Sequence, residues 1–215
     1  MARSSSTSAR FWLIAVLVEG GLGIVAVAIG WFIGSPPLSA LMHDVADPAR
    51  LLARIALGGA AAVPLFLGLI AIEDCQWRPL RRLRELVISQ LVPLFRPLSA
   101  SQLLALSVAA GVGEELLFRG WLQASLTAWC GPPLGTLVGL VTASLLFGLC
   151  HCLTPTYAGL AMAVSLYLGA LFLLTGSLTA PIVTHAAYDF AALLYLVRRD
   201  PSASPDGLLP GEGGP

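Results

Sequence analysis

Residues 11–34 read FWLIAVLVEGGLGIVAVAIGWFIG, a run whose only charged side chain is Glu19. A helix needs about 20 mostly apolar residues to cross the ~30 Å hydrocarbon core of a bilayer. In lipid the backbone has no water to bond, so a spanning run must satisfy its own N–H and C=O groups, which makes it a helix. The polar, basic stretch from Met1 to Arg10 precedes it, as in a signal peptide. However, the run is much longer than the ~7–15 residues of a signal h-region and has no small-residue cleavage site, so it is expected to be a retained first span.

Further runs of the same kind follow near 51–73, 101–128, 134–153, 157–176 and 179–197. Gly131-Pro132-Pro133, Thr154-Pro155 and Thr175-Gly176-Ser177 punctuate the last four. The whole chain is 57% hydrophobic and 11% charged, with a mean hydropathy of +0.84. A soluble domain carries about 25% charged residues, so this surface has to be covered by lipid. The net charge is zero and no basic tract is present, which gives no purchase for nucleic acid. The expected fold is therefore an all-α, polytopic transmembrane helix bundle of about six spans, with the lipid bilayer as its surroundings.

Arginine sets the orientation, since the chain has no lysine. Arg3 and Arg10 precede the first span, Arg78, Arg81, Arg82, Arg84 and Arg96 lie between the second and third, and Arg198 and Arg199 follow the last. Six spans place these regions on one side, and basic residues favour the cytoplasm, so both termini are expected there. Leu80, Leu83, Val87 and Leu91 recur at helical spacing opposite Arg81, Arg82, Arg84 and Glu85, which predicts a cytoplasmic interfacial amphipathic helix. The chain then divides into 1–100, with two spans and this basic segment; 101–197, a four-helix core; and 198–215, a disordered tail rich in Pro, Gly and Ser. There is no internal repeat. Cys75, Cys130, Cys150 and Cys152 match no disulfide framework and are expected to be small apolar filler.

Charged side chains within spans are costly and mark function by default. The third span carries Glu114, Glu115 and Arg119. Glu115 and Arg119, four apart, share a helix face and can pair, whereas Glu114 is rotated by about 100° and needs another partner. Two later spans supply histidines: His151, one turn after Phe147, and His185, one turn before Asp189. Two glutamates, two histidines and an aspartate from three helices suffice for a hydrolytic site. One group would activate water, through a metal or as general base, and others would stabilise an oxyanion. Glu19 is a further buried acid, more plausibly structural, and His43, beside Asp44 in a loop, reads as ordinary surface.

The blocks Glu-Glu-x-x-x-Arg at 114–119, Phe-x-x-x-His at 147–151 and His-x-x-x-Asp at 185–189 resemble the CPBP intramembrane proteases. That family includes type II CAAX prenyl endopeptidases and the bacteriocin-processing or immunity proteins called Abi. The resemblance covers about 101–195, which makes 101–197 the catalytic core. It implies a conical cavity open toward the cytoplasm and a peptide or protein substrate, lipidated in the CAAX-type case. By position, Glu114 would activate water held with His151, His185 and Asp189 would orient the water or stabilise the oxyanion, and Glu115 and Arg119 would support the site. Asp189 stands where many members have Asn, and a carboxylate is a poorer oxyanion donor. Glu114, His151 and His185 could hold a catalytic zinc with one position left for water; the alternative is a metal-free, glutamate-driven reaction.

An intramembrane metalloendopeptidase is thus the expected activity, in a prokaryotic plasma membrane given the small size and the resemblance. The alternatives are a catalytically silent scaffold or bacteriocin-immunity protein on the same fold and, less favoured for lack of an inverted repeat, a proton-coupled transporter. Alternating spans put His151 near the cytoplasmic end of the fourth and His185 near the opposite end of the sixth. A single site therefore requires the fourth span to extend past Thr154, or the sixth to start earlier or tilt.

Overall fold

The computed structural model describes residues 2–199, and all its regular elements in that range are helices. They are α1 (Ala2–Phe32), α2 (Ser39–Val45), α3 (Pro48–Glu73), α4 (Arg78–Leu86), α5 (Val92–Phe95), α6 (Ala100–Glu115), α7 (Ala124–Cys130), α8 (Leu134–Cys150), α9 (Pro155–Thr175) and α10 (Thr179–Arg199). Two π-helical segments, Val87–Leu91 and Leu116–Gln123, join α4 to α5 and α6 to α7. Local chemistry sets many of the boundaries. Asp47 caps α3 by accepting from the Ala49 and Arg50 amides, with Pro48 at the first helical position. Ser99 and Gln102 form a reciprocal capping box on α6, Thr154 caps α9 ahead of Pro155, and left-handed Gly176 (φ 61°) ends it.

Among the described residues five helices are long and apolar enough to cross a membrane: Thr7–Phe32, Pro48–Glu73, Ala100–Cys130, Pro155–Thr175 and Thr179–Arg199. The expected fourth span is the shorter apolar helix Leu134–Cys150; at 1.5 Å per residue its length is about 25 Å. It stops before Thr154 because the chain leaves helical geometry at His151. Arg198 and Arg199, assigned above to the tail, belong to α10, and the remainder of that tail lies outside the described residues. Leu13, Leu17, Leu52, Leu67, Leu137 and Leu145 are all exposed, an apolar exterior suited to lipid. The third span is the central one: 56% of its apolar window is buried, against 11–22% for the other four.

Contacts at the two ends of the bundle reproduce the alternation. At one end, buried Asp44 accepts from the Ser177 and Thr179 hydroxyls at the start of α10, and Arg54 Nη2 donates to Thr175 O at 2.9 Å. At the other, Phe11 packs on Phe95 with ring centroids 5.6 Å apart. There, too, Glu73 accepts from the Tyr195 hydroxyl and the Arg199 guanidinium. The start of α1, the 74–100 segment and the end of α10 therefore share one end. The amphipathic segment is less regular than expected, since its helix passes into π turns at Val87. Arg84 is not on its solvated face: it stands four residues after Leu80 and three before Val87, hence on the apolar side, and donates to the Glu73 carbonyl. Cys130, Cys150 and Cys152 are exposed, Cys75 is half-buried, and all four are free.

Close backbone approach seats α1 and α10 on α6. A β-carbon at Gly111 would lie 3.0 Å from Ile182 O of α10, and one at Gly113 would overlap the Glu19 carbonyl of α1. Neither backbone can yield as a flexible side chain does. Gly113→Ala should therefore lower the thermal unfolding midpoint in detergent, at a cost of about 1–3 kcal/mol or more. Gly59→Ala, whose β-carbon meets nothing within 4 Å, should leave it in place. An unchanged midpoint for Gly113→Ala would show that α1 is not seated there.

Candidate active site

The three sequence blocks converge. At the end of α6, Glu115 and Arg119 are both fully buried, with Arg119 Nη1 donating to Glu115 Oε1 at 2.7 Å. Arg119 Nη2 reaches α9, where it donates to Ser165 O at 3.0 Å and Ser165 Oγ at 2.7 Å. One turn on, buried Gln123 donates to Gly169 O at 3.2 Å. The π turns after Glu115 thus present a polar face that α9 accepts because its facing positions are small. The planar guanidinium bridges Glu115 and Ser165 at once, while Arg119 Nε and Glu115 Oε2 are buried with no partner among the described residues.

His185 Nδ1 lies 2.8 Å from the same Glu115 Oε1, and its Nε2 lies 3.4 Å from Asp189 Oδ2. A carboxylate only accepts, so Nδ1 carries a proton. Glu115 therefore fixes both Arg119 and His185, while both nitrogens of His185 face carboxylates. Glu114, rotated away as expected, is 7% exposed, and its Oε1 lies 3.8 Å from His151 Nε2. His151 Nδ1 is 2.9 Å from Phe147 O, which places its proton there and turns the Nε2 lone pair toward Glu114. Glu114 Oε2 is buried and has no partner among the described residues.

Phe147 sits between the two histidines. Its ring stacks on His151 (centroids 4.4 Å, planes 17°), meets His185 edge-on at 6.1 Å and Phe118 at 5.0 Å, and lies 5.0 Å beneath the Arg119 guanidinium carbon. The histidines therefore reach the same depth. Neither extension that the sequence required has occurred, as α8 ends at Cys150 and α10 starts at Thr179. The two histidines nevertheless meet on either side of the Phe147 ring. His43, by contrast, is exposed on α2.

Glu114, His151, His185 and Asp189 line one cavity of about 1000 Å³. Its walls are mostly apolar, from α1, α3, α4 and α5 as well as the core helices, and reach Glu73 and Arg84 at the end of the bundle that carries the arginines. Sequence reasoning did not find Ser165, whose role depends on a partner 46 residues away, or Tyr157 and Tyr188, which line the same cavity. Glu19 also lines it, with a buried Oε2 that has no partner among the described residues.

Glu114, His151 and His185 are the residues that would hold a zinc ion. The carboxylate–imidazole contacts occur as separate pairs. Among the described residues no three His, Cys, Asp or Glu side chains are gathered so that they could hold a metal ion. The donor arrangement does not fit a zinc held by these three residues.

Fold and site together define a helical integral membrane protein with a buried carboxylate–histidine centre opening on an apolar cavity. Residues 96–191 match the family of type II CAAX prenyl endopeptidases, Rce1-like, and the match takes in all three blocks. The match spans less than half of the chain, and over these residues the chain is similar to that family. No curated protein and no solved structure matches the chain.

Proposed function

We propose that the chain is an intramembrane endopeptidase in which Glu114 and His151 activate a water molecule for attack on a peptide bond. The observation that carries this is the 3.8 Å gap between Glu114 Oε1 and His151 Nε2 at the cavity wall. It is too long for a hydrogen bond and short enough for one water to bond both groups.

In the reaction, Glu114 removes a proton from this water while the water oxygen bonds to the carbonyl carbon. The carbonyl π pair moves onto oxygen, giving a tetrahedral oxyanion. Collapse of the intermediate breaks the C–N bond, and the amine leaves with the proton Glu114 had taken. His151, its Nδ1 proton held by Phe147 O, accepts the water's second O–H and so aims the oxygen. His185, between Glu115 and Asp189, holds the third carboxylate in place, and Arg119 holds Glu115. Each step is performed by side chains of the chain, and none is routed through a metal.

The family match and the apolar cavity support a lipid-modified peptide of CAAX type as substrate, and the arginines at the cavity end support a cytoplasmic mouth. The protein should be purified, placed in lipid vesicles and given an internally quenched, farnesylated CAAX-type peptide. Cleavage is expected to persist after prolonged dialysis against a chelator. His151→Ala should lower it by about 10²-fold or more. An intact peptide with the wild-type chain, or full activity in His151→Ala, would overturn the proposal; activity lost to the chelator and regained with zinc would overturn its metal-free step.

A further inference from the structure

The proposed reaction leaves a negative oxygen in a cavity whose walls are mostly apolar, and an uncompensated charge there is costly. Something must donate to it, and the residues assigned by family position are poorly placed for that work. Both ring nitrogens of His185 face carboxylates, at 2.8 Å and 3.4 Å. Asp189, where an asparagine would have an N–H to offer, is a carboxylate and accepts only. Arg119 is engaged by Glu115 and Ser165 and is fully buried.

The tyrosines show where the missing donor is. The chain has four. Tyr167 donates to Ala61 O at 2.9 Å and Tyr195 donates to Glu73, and neither lines the cavity. Tyr157 and Tyr188 both line it, and the hydroxyl of neither makes a hydrogen bond among the described residues. The two tyrosines with unused O–H groups are thus those facing the reaction space.

Tyr157 is the better placed of the pair. Thr154 caps its backbone amide at 3.1 Å, so the first turn of α9 fixes its direction. Its ring meets His151 edge-on with centroids 6.2 Å apart, and it lies within electrostatic reach of both Glu114 and Asp189. Tyr188 is in reach of Asp189 and Tyr157.

Resting on the endopeptidase function above, we propose that the Tyr157 hydroxyl is the oxyanion donor of this site, taking the place of a donor amide at Asp189. The O–H donates a hydrogen bond to the developing oxyanion without transferring its proton, so no extra reactant is needed. A phenol suits this task because, with an ordinary pKa of about 10, it is neutral and still carries its proton at physiological pH.

The test compares wild type with Tyr157→Phe, Tyr188→Phe, Tyr167→Phe and Glu114→Gln in vesicles, on the quenched farnesylated peptide. Unfolding midpoints are recorded for each. Removing one oxyanion donor lowers kcat by about 10²–10³-fold. Tyr157→Phe should show that loss with KM and midpoint unchanged and a larger loss than Tyr188→Phe, while Tyr167→Phe, outside the cavity, keeps kcat within about threefold, a small fraction of an oxyanion donor's effect. In the Tyr157→Phe background, Asp189→Asn should recover part of the lost kcat by restoring an amide donor, which a merely structural role for Tyr157 would not allow. A wild-type kcat in Tyr157→Phe, beside an inactive Glu114→Gln, would overturn the tyrosine assignment and leave the protease standing. A loss confined to Tyr188→Phe would move the donor to α10 and overturn it as well. Failure of the wild-type chain to cleave, or full activity in Glu114→Gln, would overturn the function and this inference with it.

Discussion

Glu114→Gln is expected to lower the turnover of a cleavable peptide by about 10²–10⁴-fold, the usual weight of a positioned general base, while leaving the fold intact. The substitution preserves shape and removes only the ability to take a proton. Glu114 Oε2 bonds no other group among the described residues, so no buried donor is stranded by the change. His151 does not depend on Glu114 for its orientation, because Phe147 O holds Nδ1 and the Phe147 ring stacks on the imidazole. KM should therefore stay near wild type and the loss should fall on kcat, measured on the quenched peptide in vesicles. Turnover at the wild-type rate would place the base elsewhere. If the variant also fulfilled the chain's cellular task while neither form cleaved, the silent scaffold would be the better description.

Arg119→Ala should destabilise the protein by about 3–5 kcal/mol, the range for removing one member of a buried ion pair. Three losses coincide. Glu115 keeps its buried charge with His185 as the remaining partner, Ser165 of α9 loses both hydrogen bonds from Arg119, and Phe147 loses the cation above its ring. Arg119→Lys should fall between, since an ammonium lacks the planar fork that reaches Glu115 and Ser165 together. The exposed pair Arg81–Glu85, at 3.9 Å, is the control; Arg81→Ala should cost less than about 1 kcal/mol. Reversible denaturation in detergent measures all three, and an Arg119→Ala midpoint equal to that of Arg81→Ala would show that the buried pair does not hold the site.

Much of this was legible in the sequence because the bilayer simplifies the problem. Long apolar runs have one folded solution, so the helical type of the elements followed from residues 11–34 and the later apolar runs. Of about six expected spans, five are long enough among the described residues and Leu134–Cys150 is shorter. The i to i+4 spacing announced the Glu115–Arg119 pair, and the rotation of Glu114 away from it announced the contact that His151 satisfies. What did not follow were properties set by tertiary packing. No local pattern marks the π turns at Leu116–Gln123, which exist because α9 offers Ser165 and Gly169 to that face. The meeting of His151 and His185 across the Phe147 ring depended on tertiary packing that spacing does not encode. The partial burial of Arg84 was hidden because its charge suggested solvent, although its position between Leu80 and Val87 placed it on the apolar face. Tyr157 and Tyr188 were overlooked because a cavity, unlike a helix face, has no sequence period.

The central claim is that a water molecule activated within the membrane breaks a peptide bond, and the mass of the product tests it most directly. The purified chain should be given the farnesylated peptide in water enriched in oxygen-18 and the fragments analysed by mass spectrometry. The account predicts one internal cut, with a single heavy oxygen in the new carboxyl group and no cut by Glu114→Gln. An intact peptide with the wild-type chain, or the same labelled product from Glu114→Gln, would contradict it.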